Sequence, residues 1–204
     1  MSSPPHNPSS SPSAPCTQSL GSEGQQFSPE ERALLLRSAH EAIESALEGR
    51  AISLEPPTAH LAEPRGVFTT IYLRGELRGC VGYVFAVAPL YRSVIETARA
   101  AASEDTRFQP VTPEEASELE VSLSVLSPLT PIMPEQIEIG RHGLVVTMAG
   151  HRGLLLPQVP VEHHWDRVTF LEQTCRKAGL PVDAWKRGAK LEAFTAEVFA
   201  EGQV

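Results

Sequence analysis

Val67-Phe68-Thr69-Thr70-Ile71-Tyr72-Leu73-Arg74-Gly75-Glu76-Leu77-Arg78-Gly79-Cys80-Val81-Gly82 is the stretch on which the fold turns. Its first seven residues are rich in β-branched and aromatic side chains and read as a strand. Arg74-Gly75-Glu76 then turns the chain into a return arm that carries Leu77-Arg78-Gly79-Cys80-Val81-Gly82. Regular strand alternation sends Arg78, Cys80 and Gly82 to one face and Leu77, Gly79 and Val81 to the other. The Arg78 guanidinium is then expected beside the Cys80 sulfur, where it favours the thiolate. Gly82 leaves that face open, and Gly79 and Gly82 allow another chain or a ligand to approach closely. A free cysteine also serves as a buried packing residue, and a glycine in a hairpin arm can mark a bulge. Residue types alone leave both readings open.

Outward from the hairpin, helices and strands alternate. Upstream, Ser28-Pro29-Glu30-Glu31 has the form of a capping box. It opens a helix with Leu34, Leu35, Ala39, Ile43, Ala46 and Leu47 at helical spacing, stopped at Gly49. Residues 54–65 hold three prolines and read as an extended connection. Downstream, Pro89 opens a helix with Leu90, Val94, Ala98 and Ala101 on one face. Asp105-Thr106-Arg107-Phe108 reads as a polar loop, and Thr112-Pro113-Glu114-Glu115 starts a short helix. Leu119 to Leu126 alternates apolar and polar residues, the pattern of a strand with one buried face.

Residues 144–149 and 154–156 read as a second hairpin, ended by Pro157-Gln158-Val159-Pro160. A helix with Trp165, Val168, Leu171 and Cys175 on one side follows, closed by Gly179. Residues 190–199 read as the last strand. Hairpins mixed with helices, without strict βαβ repetition, give an α+β domain whose sheet is mainly antiparallel and flanked by helices.

The 204 residues suit one domain, 28–204, preceded by a Ser/Pro-rich tail, 1–27, whose composition predicts disorder. A formal net charge of −8 gives no general attraction to polyphosphate, which argues against nucleic acid as a partner. Cys16, Cys80 and Cys175 are odd in number and widely spaced, so a reducing cytoplasm is expected rather than a disulfide framework. No apolar run reaches the roughly 20 residues of a membrane span.

Leu77-Arg78-Gly79-Cys80-Val81-Gly82 resembles the signature motif of the AMMECR family, also called AmmeMemoRadiSam system protein A. The resemblance continues in Asp105-Thr106-Arg107-Phe108, Ser122-Leu123-Ser124-Val125-Leu126 and Gly140-Arg141-His142-Gly143-Leu144. It extends through Leu155-Leu156-Pro157-Gln158-Val159 and Lys177-Ala178-Gly179-Leu180, covering roughly residues 28–200. Val81 stands where isoleucine is usual and Thr106 where proline is frequent. The resemblance implies a two-lobed single α+β domain with a site around the hexapeptide. It also implies association with a Memo-type protein and a radical SAM enzyme.

Two readings of the site follow. In a thiol-dependent enzyme, Cys80 is the nucleophile, Arg78 lowers its pKa, and His142, flanked by Gly140 and Gly143, is general base or acid. Gln158 would then orient a polar group or donate to an oxyanion. In a noncatalytic binding or adaptor module, the face opened by Gly79 and Gly82 receives a small molecule, a peptide or a protein. Arg107 is expected either to bind an anion near the hexapeptide or to fix its loop through Asp105. Trp165 and Trp185 read as core or lobe-interface anchors, and Cys175 as a buried, inert thiol. No cofactor is expected. A metal site is disfavoured: the adjacent His163 and His164 diverge on a helix, and Cys80, His142 and His151 would have to be gathered by the fold.

Overall fold

The computed structural model describes residues 26–202. In it the chain has two lobes, each built on a four-stranded antiparallel sheet. The first lobe begins with helix α1 (Pro29–Leu47), opened by the expected capping box between Ser28 and Glu31. Strands β1 (Val67–Leu73) and β2 (Glu76–Tyr83) form the expected hairpin, and helix α2 (Leu90–Ser103) follows. A single-turn helix α3 (Pro113–Ala116) leads into β3 (Leu119–Leu126).

Alternation decides which face of this sheet is covered. Val67 and Ile71 of β1 and Val121, Leu123 and Val125 of β3 are buried against Leu35, Ala39 and Ile43 of α1 and Val94, Ile95 and Ala98 of α2. A buried pair of hydroxyls, Thr69 and Thr97 at 2.7 Å, ties β1 to α2 within this apolar layer. The other face, with Phe68, Thr70, Tyr72, Ser122 and Ser124, is only partly buried.

The chain leaves this sheet after β3 and forms the short β4 (Thr130–Pro131), then β5 (Gly143–Met148) and β6 (His151–Leu155). Helices α4 (Gln158–Glu162) and α5 (Arg167–Lys177) follow, then β7 (Lys190–Phe194) and β8 (Ala196–Ala200). The strand orders are β2-β1-β3-β8 and β4-β7-β5-β6. A second core of Leu144, Val146, Phe170, Leu171 and Cys175 lies between β5 and α5. The two sheets meet through a smaller interlobe core of Leu126, Val145 and Phe194, against which Phe68, Val84 and Leu154 pack.

Several expectations change. The last strand, read as continuous over 190–199, is two strands in different sheets. Thr195 is the crossing point: its N–H donates to the Ser127 hydroxyl at 3.0 Å and its carbonyl accepts the Ser127 N–H at 2.9 Å. One ribbon thus passes from lobe to lobe, and local apolar patterning has no mark for a change of sheet. The Pro157–Pro160 stretch is not a plain stop but begins the one-turn α4. Val168 is 44% exposed and does not share the buried side of α5 with Leu171 and Cys175. Trp165 lies before α5 and, with Trp185, packs partly buried against the second core.

Phe27, assigned by composition to the tail, is buried in the first core and stacks on the His60 ring at 4.8 Å between centroids. Cys16 and the rest of that tail before Gln26 lie outside the described residues. Among the described residues, no helix is long and apolar enough to cross a membrane.

Candidate functional site

The β1–β2 pairing determines what surrounds Cys80. From Val67↔Tyr83 to Ile71↔Gly79 the register is regular, so Thr70 lies opposite Cys80 and Phe68 opposite Gly82. The register then shifts, with Tyr72 opposite Leu77, which leaves Arg78 as the extra residue of a bulge. Cys80 and Gly82 do share the face away from the helices. Arg78 does not follow the alternation that would set it beside the sulfur, because a bulge re-aims the side chain it carries.

The Arg78 guanidinium makes four hydrogen bonds. Its Nε and Nη2 donate to the Glu115 carboxylate at 3.2 and 2.9 Å, and Nη1 and Nη2 donate to the carbonyls of Gln109 and Pro110 at 2.6 and 3.1 Å. It is 14% exposed and fastens the connection between α2 and α3 to β2. The Glu115 carboxyl is held below its ordinary value, first by these bonds from Arg78.

The Cys80 sulfur accepts a hydrogen bond from the Thr70 hydroxyl at 3.2 Å. Burial pushes the Tyr72 phenol up, and a charge on the neighbouring Cys80 acts in the same direction. Nothing in the local sequence pattern marks Thr70 or Tyr72 as site residues. The signal that could have found them is the cross-strand position, which becomes readable only once the register is known.

Behind the strand, Asp105 organises the backbone. Its carboxylate accepts the Cys80 N–H at 2.9 Å and the Arg107 N–H at 3.2 Å. It also receives Arg107 Nε and Nη2 at 2.9 and 2.7 Å. Arg107 therefore has the loop-fixing role, and its Nη2 reaches the Cys80 carbonyl at 3.5 Å. The Asp105 carboxyl is held well below the usual range, first by Arg107 and then by the Cys80 N–H.

Asp105→Ala strands a strand N–H and an arginine together. It is expected to cost about 1–3 kcal/mol in urea denaturation; a loss under ~0.5 kcal/mol would show that water replaces the carboxylate freely. A depressed carboxylate contributes stability that is complete above the unfolded value of about 3.9 and is lost as pH falls through the folded value. The variant should therefore lose less stability than the parent on acidification below about pH 4.

His142 precedes β5 in the second lobe. Its Nδ1 accepts the Glu138 N–H at 3.0 Å, and its own N–H donates to the Glu138 carbonyl at 3.1 Å. A backbone N–H can only donate, so in the neutral ring Nδ1 is bare and Nε2 carries the hydrogen. Burial pushes the imidazole pKa down, which favours the neutral ring. Among the described residues, no hydrogen bond joins His142 to Cys80. Gln158 is exposed at the start of α4.

The two glycines of the hexapeptide do not open the Cys80 face as expected, because each position is already filled by a neighbour and Gly79 lies on the helix side. A methyl on Gly79 would strike the Ala101 carbonyl of α2, so Gly79 lets the helix lie close on the strand. A methyl on Gly82 would strike the Phe68 ring, which lies across this position on the other face. Phe68 is also one wall of a cleft of about 400 Å³ between the lobes. Val84 of the same lobe also lines it, together with Leu154, Leu156, Val159, Arg152 and Lys177 of the other. The glycine side of the Cys80 face thus adjoins an apolar cleft of a size that small molecules occupy.

Among the described residues, no three His, Cys, Asp or Glu side chains converge as a metal set. His163 stacks on Trp165 at 4.8 Å between centroids. Cys175 is buried in the second core, and burial pushes its thiol up.

The model of the AMMECR1 family matches residues 36–199. The chain belongs to the AMMECR1 family. A protein of Methanopyrus kandleri is 44% identical over 190 residues, covering 87% of this chain and 92% of the relative. One from Thermococcus gammatolerans is 46% identical over 183 residues, covering 82% and 88%. The crystal structure of an uncharacterized protein from Pyrococcus horikoshii is similar, with a TM-score of 0.65 and 42% identity over 83% of this chain and 91% of the other. The α+β fold is shared with the Pyrococcus horikoshii protein.

Proposed function

We propose that this protein is a noncatalytic binding module that takes the apolar part of a ligand into the cleft between its lobes, with the Cys80 face beside it. The observation that carries the reading is the cleft itself: Phe68 and Val84 of one lobe and Leu154 and Leu156 of the other line the same open space of about 400 Å³. Arg78 and His142, the two residues expected to activate Cys80, are spent elsewhere. Arg78 is paired with Glu115, and the bare nitrogen of His142 already accepts a backbone N–H. Proton abstraction needs an accepting nitrogen within reach of the thiol.

One observation favours the second reading, a thiol-dependent enzyme: the Thr70 hydroxyl donates to the Cys80 sulfur, which suits a thiolate. Titration with the neutral fluorophore phenylnaphthylamine separates the two. Saturable binding is expected in the parent protein and unchanged within about twofold in Cys80→Ser. Val84→Asp, which places a charge at the partly exposed rim, should weaken it by about tenfold or more, the weight of ~1.4 kcal/mol. No saturable binding in the parent overturns the binding reading. A covalent Cys80 adduct formed and released during turnover establishes the enzyme.

A further inference from the structure

We infer that the cleft ligand is an amphipathic small-molecule anion: an apolar body between Phe68, Val84, Leu154 and Leu156, and an anionic head on Arg152 and Lys177. The inference rests on the binding reading above and adds the charge of what is bound.

Its basis is an electrostatic imbalance. The chain carries 25 acidic side chains against 17 Lys and Arg, so a cation has an excess of acids to pair with. Nine of the 14 arginines do pair, among them Arg32 with Glu197, Arg74 with Glu118, Arg78 with Glu115 and Arg107 with Asp105, whereas among the described residues Arg37, Arg99, Arg152, Arg167 and Arg176 have no such partner. Arg152 and Lys177 both line the cleft, and among the described residues neither has a carboxylate within salt-bridge distance. Two unpaired cations at one mouth, in a chain short of cations, leave a local positive potential over an apolar trough.

Arg152 is also held in place without being neutralised. Its guanidinium carbon lies 3.9 Å from the centroid of the Phe85 ring. Such a contact limits the side chain's freedom while leaving N–H donors for a planar or tetrahedral anion. Arg152 comes from β6 and Lys177 from the end of α5, while Phe68 and Val84 belong to the other lobe. An anion bound there with an apolar tail would contact both lobes at once. A neutral hydrophobe satisfies the trough and leaves the two cations facing water; an inorganic anion satisfies the cations and leaves the trough open. Only a molecule with both parts complements the whole cleft.

The test uses two fluorophores with the same body, anilinonaphthalene sulfonate and neutral phenylnaphthylamine, titrated into the full chain. The sulfonate should bind the parent about tenfold or more tightly than it binds the Arg152→Gln/Lys177→Gln double variant, the scale of charge-assisted contacts at a partly open site. Its affinity for the parent should fall as salt is raised. Phenylnaphthylamine should bind both proteins within about twofold. Arg176→Gln, which removes an exposed cation next to Lys177 that is not among the cleft-lining residues, should leave sulfonate binding unchanged. Equal sulfonate binding by the parent and the double variant, with phenylnaphthylamine retained, overturns the anionic head and leaves the binding reading standing. A loss in Arg176→Gln equal to that of the double variant also overturns it, as a surface-charge effect. Failure of phenylnaphthylamine to bind the parent removes both.

Discussion

Phe194→Ala is expected to cost about 3–5 kcal/mol, at the upper end for truncations of a buried side chain. Phe194 is the last residue of β7, 2% exposed, immediately before Thr195 carries the chain from one sheet to the other. Its ring lies over Gly143, where an added methyl would collide with it, and packs with Leu126 and Val145 in the interlobe core. That core is small, and the Ser127–Thr195 backbone pair fixes the sheets on either side of it. Neighbours therefore cannot close in as they might in a larger core, and the cavity term stays high. Thermal unfolding should move down by roughly 6–20 °C at 2–4 °C per kcal/mol for a chain of this size. A cost under about 1 kcal/mol would mean that the lobes collapse onto the gap and are not held apart by the crossing.

Gly79→Ala is expected to cost about 3 kcal/mol, the upper end for overpacking. Gly79 faces α2, and the added methyl would meet the Ala101 carbonyl carbon and oxygen, with the Ile71 side chain also in contact range. Backbone on both sides cannot turn away as a side chain can. Either β2 lifts from β1 or α2 shifts along the sheet, and both moves disturb the apolar layer around Ile71 and Ala98. Gly75→Ala is the control. Gly75 has positive φ (81°) and open space around its Cα, so only the conformational cost of about 1–2 kcal/mol applies. Urea denaturation of the two variants should rank Gly79→Ala below Gly75→Ala. The reverse order would show that α2 does not press on the strand.

Much of the fold was legible because it is written in local periodicity. The alternation of Leu119–Leu126, the Ser28–Glu31 capping box and the Arg74-Gly75 turn each satisfy short-range physics, and each sits where expected. The break at Thr195 was not legible, because β7 and β8 carry one continuous apolar pattern and differ only in partner strands. The site was legible to the level of a face. Cys80 and Gly82 project together because their register is regular, whereas Arg78 departs through a bulge that glycine content hints at without locating. The cleft beside them joins residues from 68 to 177, and no spacing rule spans such a distance.

The alkylation rate of Cys80 in the presence of bound phenylnaphthylamine tests the central claim most directly. Buried Cys175 serves as the unreactive reference within the same chain. Cys80 lies two residues from Gly82 on the face that adjoins the cleft, so a molecule seated against Phe68 should restrict reagent access to the sulfur. The predicted result is that saturating fluorophore slows Cys80 alkylation by about tenfold, a protection free energy of ~1.4 kcal/mol. An unchanged rate at saturation would contradict the account, because the ligand would then occupy some other surface.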